Sequence, residues 1–226
     1  MHALNLYAGL GGNRKKWKNC KVTAVENNPQ IAAVYKRLYP DDELIIGDAH
    51  QYLLDHHHEF DFVWSSPPCQ THSKMNKATR HKINRYPDMT LYQQIIFLQH
   101  FFKGKYVVEN VRPYYEPLIK AKEMGRHLFW SNFEFDDFDV PRPPNFIQKG
   151  NLQGKQELMD WLGIHYEENI YYGGNHCPGQ ILRNCVHPDV GLHIFNAAIK
   201  HGEETMHSNG RLIAQPYPQL WDEGCD

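Results

Sequence analysis

A chain of 226 residues, with 41% hydrophobic and 22% charged residues, is long enough for one full α/β domain and a small appendage. The formal net charge of −2 excludes a globally basic surface, so any contact with nucleic acid must come from a local patch. Because no apolar run is long enough for a bilayer and the five cysteines include no Cys-x-x-Cys pair, we expect a reduced, cytoplasmic protein without a signal peptide, membrane anchor, disulfide framework or zinc ribbon.

The first two predicted strands flank a glycine-rich loop. A strand over 3–7 leads into the loop over 8–13, where glycines permit a tight turn and close approach of a ligand. This pattern is typical of a nucleotide-type cofactor site, although many such loops are simple turns. A second strand over 21–25 ends at Glu26, whose carboxylate could accept hydrogen bonds from both ribose hydroxyls of an adenosine cofactor. The alternative is a surface carboxylate at a helix start, because residues 27–29 form a capping pattern, but the spacing from the loop favours the ribose.

Helices and strands then continue to alternate. A helix over 31–38 precedes a third strand over 43–48. Asp48, at the end of that strand, could bind the amino group of an adenine ring or cap a helix over 49–54, and both alternatives stay open. Strands separated by helices predict βαβ units and a parallel sheet. The histidine run over 56–58 lies in a polar stretch, which favours a solvated loop over a metal site.

An apolar run over 60–64 predicts a buried fourth strand, which two serines and two prolines end. Pro68 fixes its own φ and pushes Pro67 out of the helical region, so Cys69 lies on a stiff turn at the carboxyl end of a strand. Ligands bind at that edge of open α/β sheets, so this thiol is a candidate nucleophile, although most free cysteines are small buried apolar residues. The polar, basic stretch over 71–82 predicts either a loop over the site, suited to a phosphate backbone, or a solvated loop.

A helix over 91–102 and a fifth strand over 105–108 follow, and this strand runs into Glu109. Glu109 is expected at the same sheet edge as the candidate nucleophile, where a charge must be paired. Arg112 is a candidate partner for it. A sixth strand is predicted over 127–130.

The remaining chain is less regular. Prolines and glycines over 134–180 predict a small irregular lobe with one short helix over 155–162. We expect residues 181–226 to return to the main domain over 1–133 through a helix over 189–200, and the polar tail from residue 201 to be loosely held.

Four short motifs occur in the order and spacing of a known family. The first, Tyr7-Ala8-Gly9-Leu10-Gly11-Gly12, is similar to Phe-x-Gly-x-Gly-Gly, with Asn5 where the family often has aspartate. Pro68-Cys69-Gln70 and Glu109-Asn110-Val111 match Pro-Cys-Gln and Glu-Asn-Val, and Arg183-Asn184-Cys185-Val186 is a looser match to Gly-Asn-Ser-Val. Together, over about the first 135 residues plus 183–200, these motifs resemble the cytosine-5 DNA methyltransferase family. The family's Gln-x-Arg-x-Arg motif aligns with 122–126, where only Arg126 matches.

The resemblance implies an α/β fold: a Rossmann-like S-adenosylmethionine-dependent methyltransferase sheet with helices on both faces and a small irregular target-recognition lobe. It implies transfer of a methyl group from S-adenosyl-L-methionine to carbon 5 of a flipped-out cytosine in double-stranded DNA, through a covalent adduct of Cys69. Glu109 would contact ring nitrogen 3 and the exocyclic amine, and Arg126 the ring oxygen. No metal is implied, and we expect a monomer. Compact members of this kind resemble phage-encoded solitary methyltransferases.

The resemblance also assigns binding residues. The cofactor would contact the glycine motif, the ends of the second and third strands, the turn before the nucleophile and the late motif: Tyr7, Ala8, Gly9, Leu10, Gly11, Gly12, Glu26, Asn27, Asp48, Ala49, Pro68, Asn184 and Val186. The target strand would contact Gln70, Ser73, Asn110 and Arg112.

Three alternatives remain at this point. An RNA or free-nucleotide pyrimidine methyltransferase would use the same thiol chemistry, and a DNA-binding accessory homologue would keep the fold with weak catalysis. A cysteine hydrolase using Cys69 with His72 would leave the glycine loop and Glu26 unexplained.

Overall fold

The computed structural model describes residues 1–74, 86–144, 146, 152–171 and 177–208, and the side chains of all of these except 152–153 and 202–208. Its strands are β1 (His2–Leu6), β2 (Lys21–Glu26), β3 (Glu43–Ile46), β4 (Phe62–Ser65), β5 (Lys105–Val111), β6 (Lys122–Met124) and β7 (His127–Ser131). Within the described ranges they form one seven-stranded sheet in the order β3-β2-β1-β4-β5-β7-β6. Strands β1 to β5 are parallel, whereas β7 is antiparallel to both β5 and β6.

The helices are α1 (Pro29–Leu38), α2 (Ala49–His56), α3 (Thr90–Phe101), α4 (Leu152–Leu162), α5 (Gln180–Arg183) and α6 (Pro188–Ser208). A short 3-10 turn, His57–Glu59, follows α2. The capping pattern before α1 is confirmed, because Asn28 is the N-cap and its side chain accepts from the backbone amides of Gln30 and Ile31 at 2.9 and 3.2 Å.

Both faces of the sheet are covered, as expected for parallel strands that are apolar along their whole length. Successive residues of β4 point to opposite faces, so Val63 packs with Leu53 of α2 and Leu98 of α3. On the other face Trp64 packs in one cluster with Phe195 of α6. The predicted α/β fold with helices on both faces is therefore confirmed.

Three details differ from the sequence predictions. Strand β6 was not predicted, because its three residues include the charged Lys122 and Glu123 and carry no apolar signal. The sheet is mixed rather than parallel, because the Gly125 turn reverses the chain between β6 and β7. Helix α6 continues to Ser208, eight residues beyond the predicted end at residue 200, and the loosely held tail stays a prediction. Residues 209–226 lie outside the described part.

The described part of the region between 134 and 180 packs closely against the glycine loop and α1. Leu158 and Leu162 of α4 share a buried cluster with Leu10 and Ile31, and Leu182 of α5 belongs to the same cluster. The proposed division at 133 and 180 stays a prediction. Throughout the described ranges, no helix combines the length and apolar character needed to cross a membrane.

Candidate functional site

At two positions the glycine loop after β1 leaves no room for a side chain. Gly11 has φ 68°, and a Cβ there would collide with the rings of Tyr35 and Tyr39. A Cβ on Gly12 would lie 2.5 Å from the carbonyl oxygen of Val186. The loop and the late motif are therefore in direct contact, which brings two distant predicted segments together.

A buried polar network holds this loop from behind. Arg14 donates twice to the Asp42 carboxylate at 2.6 Å, and Tyr35 donates to the same carboxylate at 2.8 Å. The Asn13 side-chain amide donates to Oδ1 of Asn5 at 2.8 Å. Asn5 occupies the position where the family named above often has aspartate. These bonds satisfy polar groups that would be costly to bury alone, so the loop has little freedom to move.

Glu26 connects the loop to the start of α1. Its carboxylate accepts from the Gly9 amide at 2.9 Å and from the Asn28 amide at 2.8 Å, and the residue is 7% exposed. A carboxylate offers about four lone-pair positions, so each oxygen keeps a second position for a ligand. Glu26 is therefore not a surface carboxylate, which was the alternative interpretation.

Asp48 caps α2, which is one of the two alternatives left open for it. Its side chain accepts from the Gln51 amide at 2.8 Å. Its contact with adenine stays a prediction.

Cys69 is held on both sides of its turn. Asn110 donates to the carbonyl of Pro67 at 3.0 Å, and the amides of His72 and Ser73 donate to the carbonyl of Cys69 at 3.1 and 3.0 Å. Because Asn110 belongs to β5, the Glu-Asn-Val segment fixes the Pro-Cys-Gln turn directly. The thiol is half-buried at the carboxyl edge of the sheet.

Burial raises the pKa of two predicted catalytic residues, Glu109 and Cys69. It raises the pKa of the Glu109 carboxyl to about 7, while Ser66 and Arg126 act in the opposite direction. Burial, followed by the charge of Glu109, raises the pKa of Cys69 to about 11, and Arg126 opposes this. A raised pKa favours the protonated thiol at neutral pH, whereas the reactive nucleophile is the thiolate.

Arg126 lies in the turn between β6 and β7 and is largely enclosed. Its guanidinium donates to the carbonyl of Arg183 and lies 5.1 Å from the ring centroid of Phe146. Burial lowers its pKa, and Glu109 raises it. Arg126 therefore supplies positive charge that acts on both Cys69 and Glu109.

One cavity of about 460 Å³ joins the loop to these groups. Fifteen of the predicted site residues line it: Tyr7, Ala8, Gly9, Leu10, Gly12, Glu26, Asn27, Pro68, Cys69, Gln70, Glu109, Asn110, Arg126, Asn184 and Val186. The remaining five, Gly11, Asp48, Ala49, Ser73 and Arg112, lie outside its lining.

Ser73 and Arg112, two of these five, contact residues outside the cavity lining. Ser73 forms a β-bridge with Pro113. Arg112 forms an ion pair with Glu123, so the expected pairing of Arg112 with Glu109 was wrong, and Arg126 is the cation beside Glu109. Residues 75–82 of the predicted loop over 71–82 lie outside the described part of the chain.

Nine lining residues were not predicted: Asn13, Asn28, Ile31, Ser66, Pro67, Val111, His127, Ile181 and Cys185. Several of them are next to motif residues in the sequence, and this adjacency could have predicted that they line the cavity. No group of three or more His, Cys, Asp or Glu side chains within the described ranges could hold a metal ion.

The structure does not support the hydrolase alternative. His72 is 1% exposed and is absent from the cavity lining. Its Nδ1 is hydrogen-bonded to the hydroxyl of Tyr115. An imidazole engaged in this way, away from the cavity, is poorly placed to activate Cys69 as a base.

Comparison with known proteins gives the following matches. Residues 1–141 match the model of the family described as C-5 cytosine-specific DNA methylase. The Type II methyltransferase M1.BsuMI of Bacillus subtilis (strain 168) is 24% identical over 230 aligned positions, which cover 88% of this chain and 52% of the relative. The chain thus spans about half the length of that curated relative.

Among solved structures, the Entamoeba histolytica methyltransferase EhMeth aligns with 89% of this chain and 98% of its own, at 12% identity and a TM-score of 0.53. A mutant of Spodoptera frugiperda DNMT2 aligns with 64% of this chain and 55% of its own, at 19% identity and a TM-score of 0.43. The first of these likenesses concerns the fold, which is that of a methyltransferase.

Proposed function

Because this chain belongs to the C-5 cytosine-specific DNA methylase family, we propose that it transfers a methyl group from S-adenosyl-L-methionine to carbon 5 of cytosine in double-stranded DNA. One observation carries the proposal. Cys69, Glu109 and Arg126 face the same cavity as the glycine loop and Glu26. A nucleophile, an acid and a cation therefore adjoin a site with the features of a nucleoside cofactor pocket.

The residues of the loop half fit S-adenosyl-L-methionine. Among the described residues, the atom nearest to a Cβ on Gly9 would be the Tyr7 carbonyl oxygen at 4.0 Å, so the loop leaves open space there. Glu26 keeps acceptor positions for ribose hydroxyls. Residues 7–12, Glu26, Asn27 and Pro68 would hold the cofactor, and Asn184 and Val186 would close its methionine end. When bound, this cofactor supplies an electrophilic methyl group on a sulfonium.

The catalytic half supplies the nucleophile and the proton. Cys69 as thiolate adds to carbon 6 of cytosine, and the electron pair of the ring moves to carbon 5, which can then take a methyl group. Protonated Glu109 hydrogen-bonds ring nitrogen 3, which stabilises the adduct, and Arg126 stabilises charge at the ring oxygen. Loss of the carbon 5 proton and expulsion of Cys69 restore the ring. With its pKa raised to about 11, the thiol must lose its proton as part of this sequence.

Residues near the cavity are proposed to bind the DNA around the target base. The target base must leave the duplex stack at a cost of a few kcal/mol, and Gln70, Ser73, Asn110 and Arg112 are proposed to contact the target strand. The lobe over 134–180 is proposed to recognise the target.

We further propose a monomer in the cytoplasm, where thiols such as the four free cysteines described stay reduced.

The test is a covalent trap. Mixed-sequence duplex DNA with 5-fluorocytosine in place of cytosine is incubated with the protein and S-adenosyl-L-methionine, then run on a denaturing gel. Fluorine cannot leave carbon 5 as a proton does, so the adduct should persist and map to Cys69. Cys69→Ala is the matched control, and a 5-fluorocytosine RNA duplex is run in parallel. Absence of a DNA adduct, while the cofactor still binds, would refute the proposal, and an adduct on RNA alone would reassign the substrate.

A further inference from the structure

His127 faces Glu109 across the β5–β7 pair. In the antiparallel register Glu109 is opposite Phe129 and Val111 is opposite His127, so Glu109 and His127 are diagonal neighbours. Nε2 of His127 lies 3.5 Å from Oε1 of Glu109, and both residues line the cavity. His127 follows directly after Arg126, the last match to the Gln-x-Arg-x-Arg motif, and no motif includes it.

This contact joins a neutral imidazole to a carboxyl group. Burial, followed by Arg126 and Arg142, lowers the pKa of His127 well below its ordinary value, so the ring carries no charge at neutral pH. A neutral ring still has one N–H donor and one acceptor nitrogen. At 3.5 Å the contact is longer than a well-formed bond of about 2.7 to 3.2 Å, but catalytic hydrogen bonds often tighten only when the substrate is bound.

Ser66 approaches the same carboxyl from the end of β4. Trp64 donates to Oγ of Ser66 at 2.9 Å, and Ser66 in turn hydrogen-bonds Glu109. Within the described part of the chain, Cys69, Arg126 and Cys185 are the other titratable or charged groups that act on Glu109 or respond to it. The carboxyl is thus approached from two strands, which is the arrangement that would fix its orientation.

We propose that His127 is a positioning residue, which donates Nε2–H to Oε1 of Glu109 and keeps the other carboxyl oxygen directed at the target base. This inference rests on the proposed function, since it assigns a task to Glu109. A donor to a carboxylate favours the ionised form, so His127 also keeps the carboxyl titrating near neutrality, where it can both give and take a proton.

The test follows the ionisation of Glu109 rather than activity alone. Protein labelled with ¹³C at glutamate carboxyls is titrated by NMR, and the Glu109 signal is assigned by its loss in Glu109→Gln. Wild type should titrate near the expected pKa of about 7. His127→Leu removes the donor and should raise this pKa by about 1, which is tenfold in the ionisation equilibrium. His127→Gln keeps an N–H donor and should restore the wild-type value.

Turnover is measured on the same variants. His127→Leu should lower kcat about tenfold, with the affinity for cofactor unchanged, and His127→Gln should recover most of it. If His127→Leu fails to fold, His127→Met is the apolar replacement. A Glu109 pKa that is unchanged or lowered in the apolar variant would overturn the inference. Failure of wild type to trap 5-fluorocytosine would instead refute the proposed function, and the titration would still decide the His127–Glu109 contact.

Discussion

The two halves of the cavity are built in different ways. The loop half is made of backbone: Gly11 and Gly12 pass so close to neighbours that a Cβ would collide, and Glu26 holds the loop through two amides. The catalytic half is made of side chains whose ionisation is shifted, above all Cys69 and Glu109. Steric fit therefore governs the loop half and desolvation the catalytic half. Substitutions in the loop half should weaken stability and cofactor binding, whereas substitutions in the catalytic half should lower turnover.

The largest expected effect is at the nucleophile. Cys69→Ala should lower methyl transfer by about four orders of magnitude or more, because the proposed adduct forms on the Cys69 thiol, while the loop half still binds the cofactor. Transfer of a radiolabelled methyl group to DNA measures the first quantity and calorimetric titration with cofactor the second. Undiminished turnover would show that the thiol is not the nucleophile.

Glu109→Gln should lower turnover about 10²- to 10³-fold, since the amide cannot supply the proton. The dependence of wild-type turnover on pH near the pKa of about 7 should disappear in this variant. Cofactor affinity should stay within about twofold of wild type. Loss of cofactor binding together with turnover would mean that the halves are not separable.

The same substitution should change how stability depends on pH. The folded-state pKa of Glu109 is raised from 4.5 to about 7, so the neutral form is favoured by folding and this stabilisation is lost as pH rises from about 4.5 to 7. The loss is on the order of 3 kcal/mol. Urea unfolding at pH 5 and pH 8 should therefore show Glu109→Gln gaining stability relative to wild type at the higher pH. An equal difference at both pH values would contradict the shifted pKa.

In the loop half, Gly12→Ala should destabilise the protein by about 1 to 3 kcal/mol through overpacking and weaken cofactor binding. The reason is the 2.5 Å approach of the added carbon to the Val186 carbonyl. Gly47→Ala is the matched control, because its added carbon would meet only an Ile45 side-chain atom at 3.9 Å. Thermal unfolding and cofactor titration compare the two, and equal behaviour would refute the steric account.

The smallest effect decides between the alternatives for Asp48. Asp48→Ala should cost about 1 kcal/mol through loss of the α2 cap, and Asp48→Ser should recover most of this because serine also caps helices. If the Asp48 carboxylate also binds adenine, Asp48→Ser should still lower the affinity for the cofactor. Unchanged affinity in Asp48→Ser would leave capping as its role.

Much of the site could be predicted because its signals are local. The glycine loop, the stiff Pro-Pro-Cys turn and the charge after the predicted strand over 105–108 are signals carried by short stretches of the chain. The alternation of apolar and polar segments likewise predicted β1 to β5 and the helices between them. The unpredicted β6 is three residues long and two of the three are charged, so its strand comes from pairing with β7 rather than from composition.

By itself, the sequence determined the order of the elements, the Cys69 turn and the chemical types available at the sheet edge, since each depends on neighbours in the chain. Only the tertiary structure decided which groups meet. It paired Arg112 with Glu123, placed Arg126 beside Glu109, and brought His127 and Ser66 to that carboxyl. These outcomes depend on the register between strands and on burial, and both arise from contacts between residues far apart in the chain.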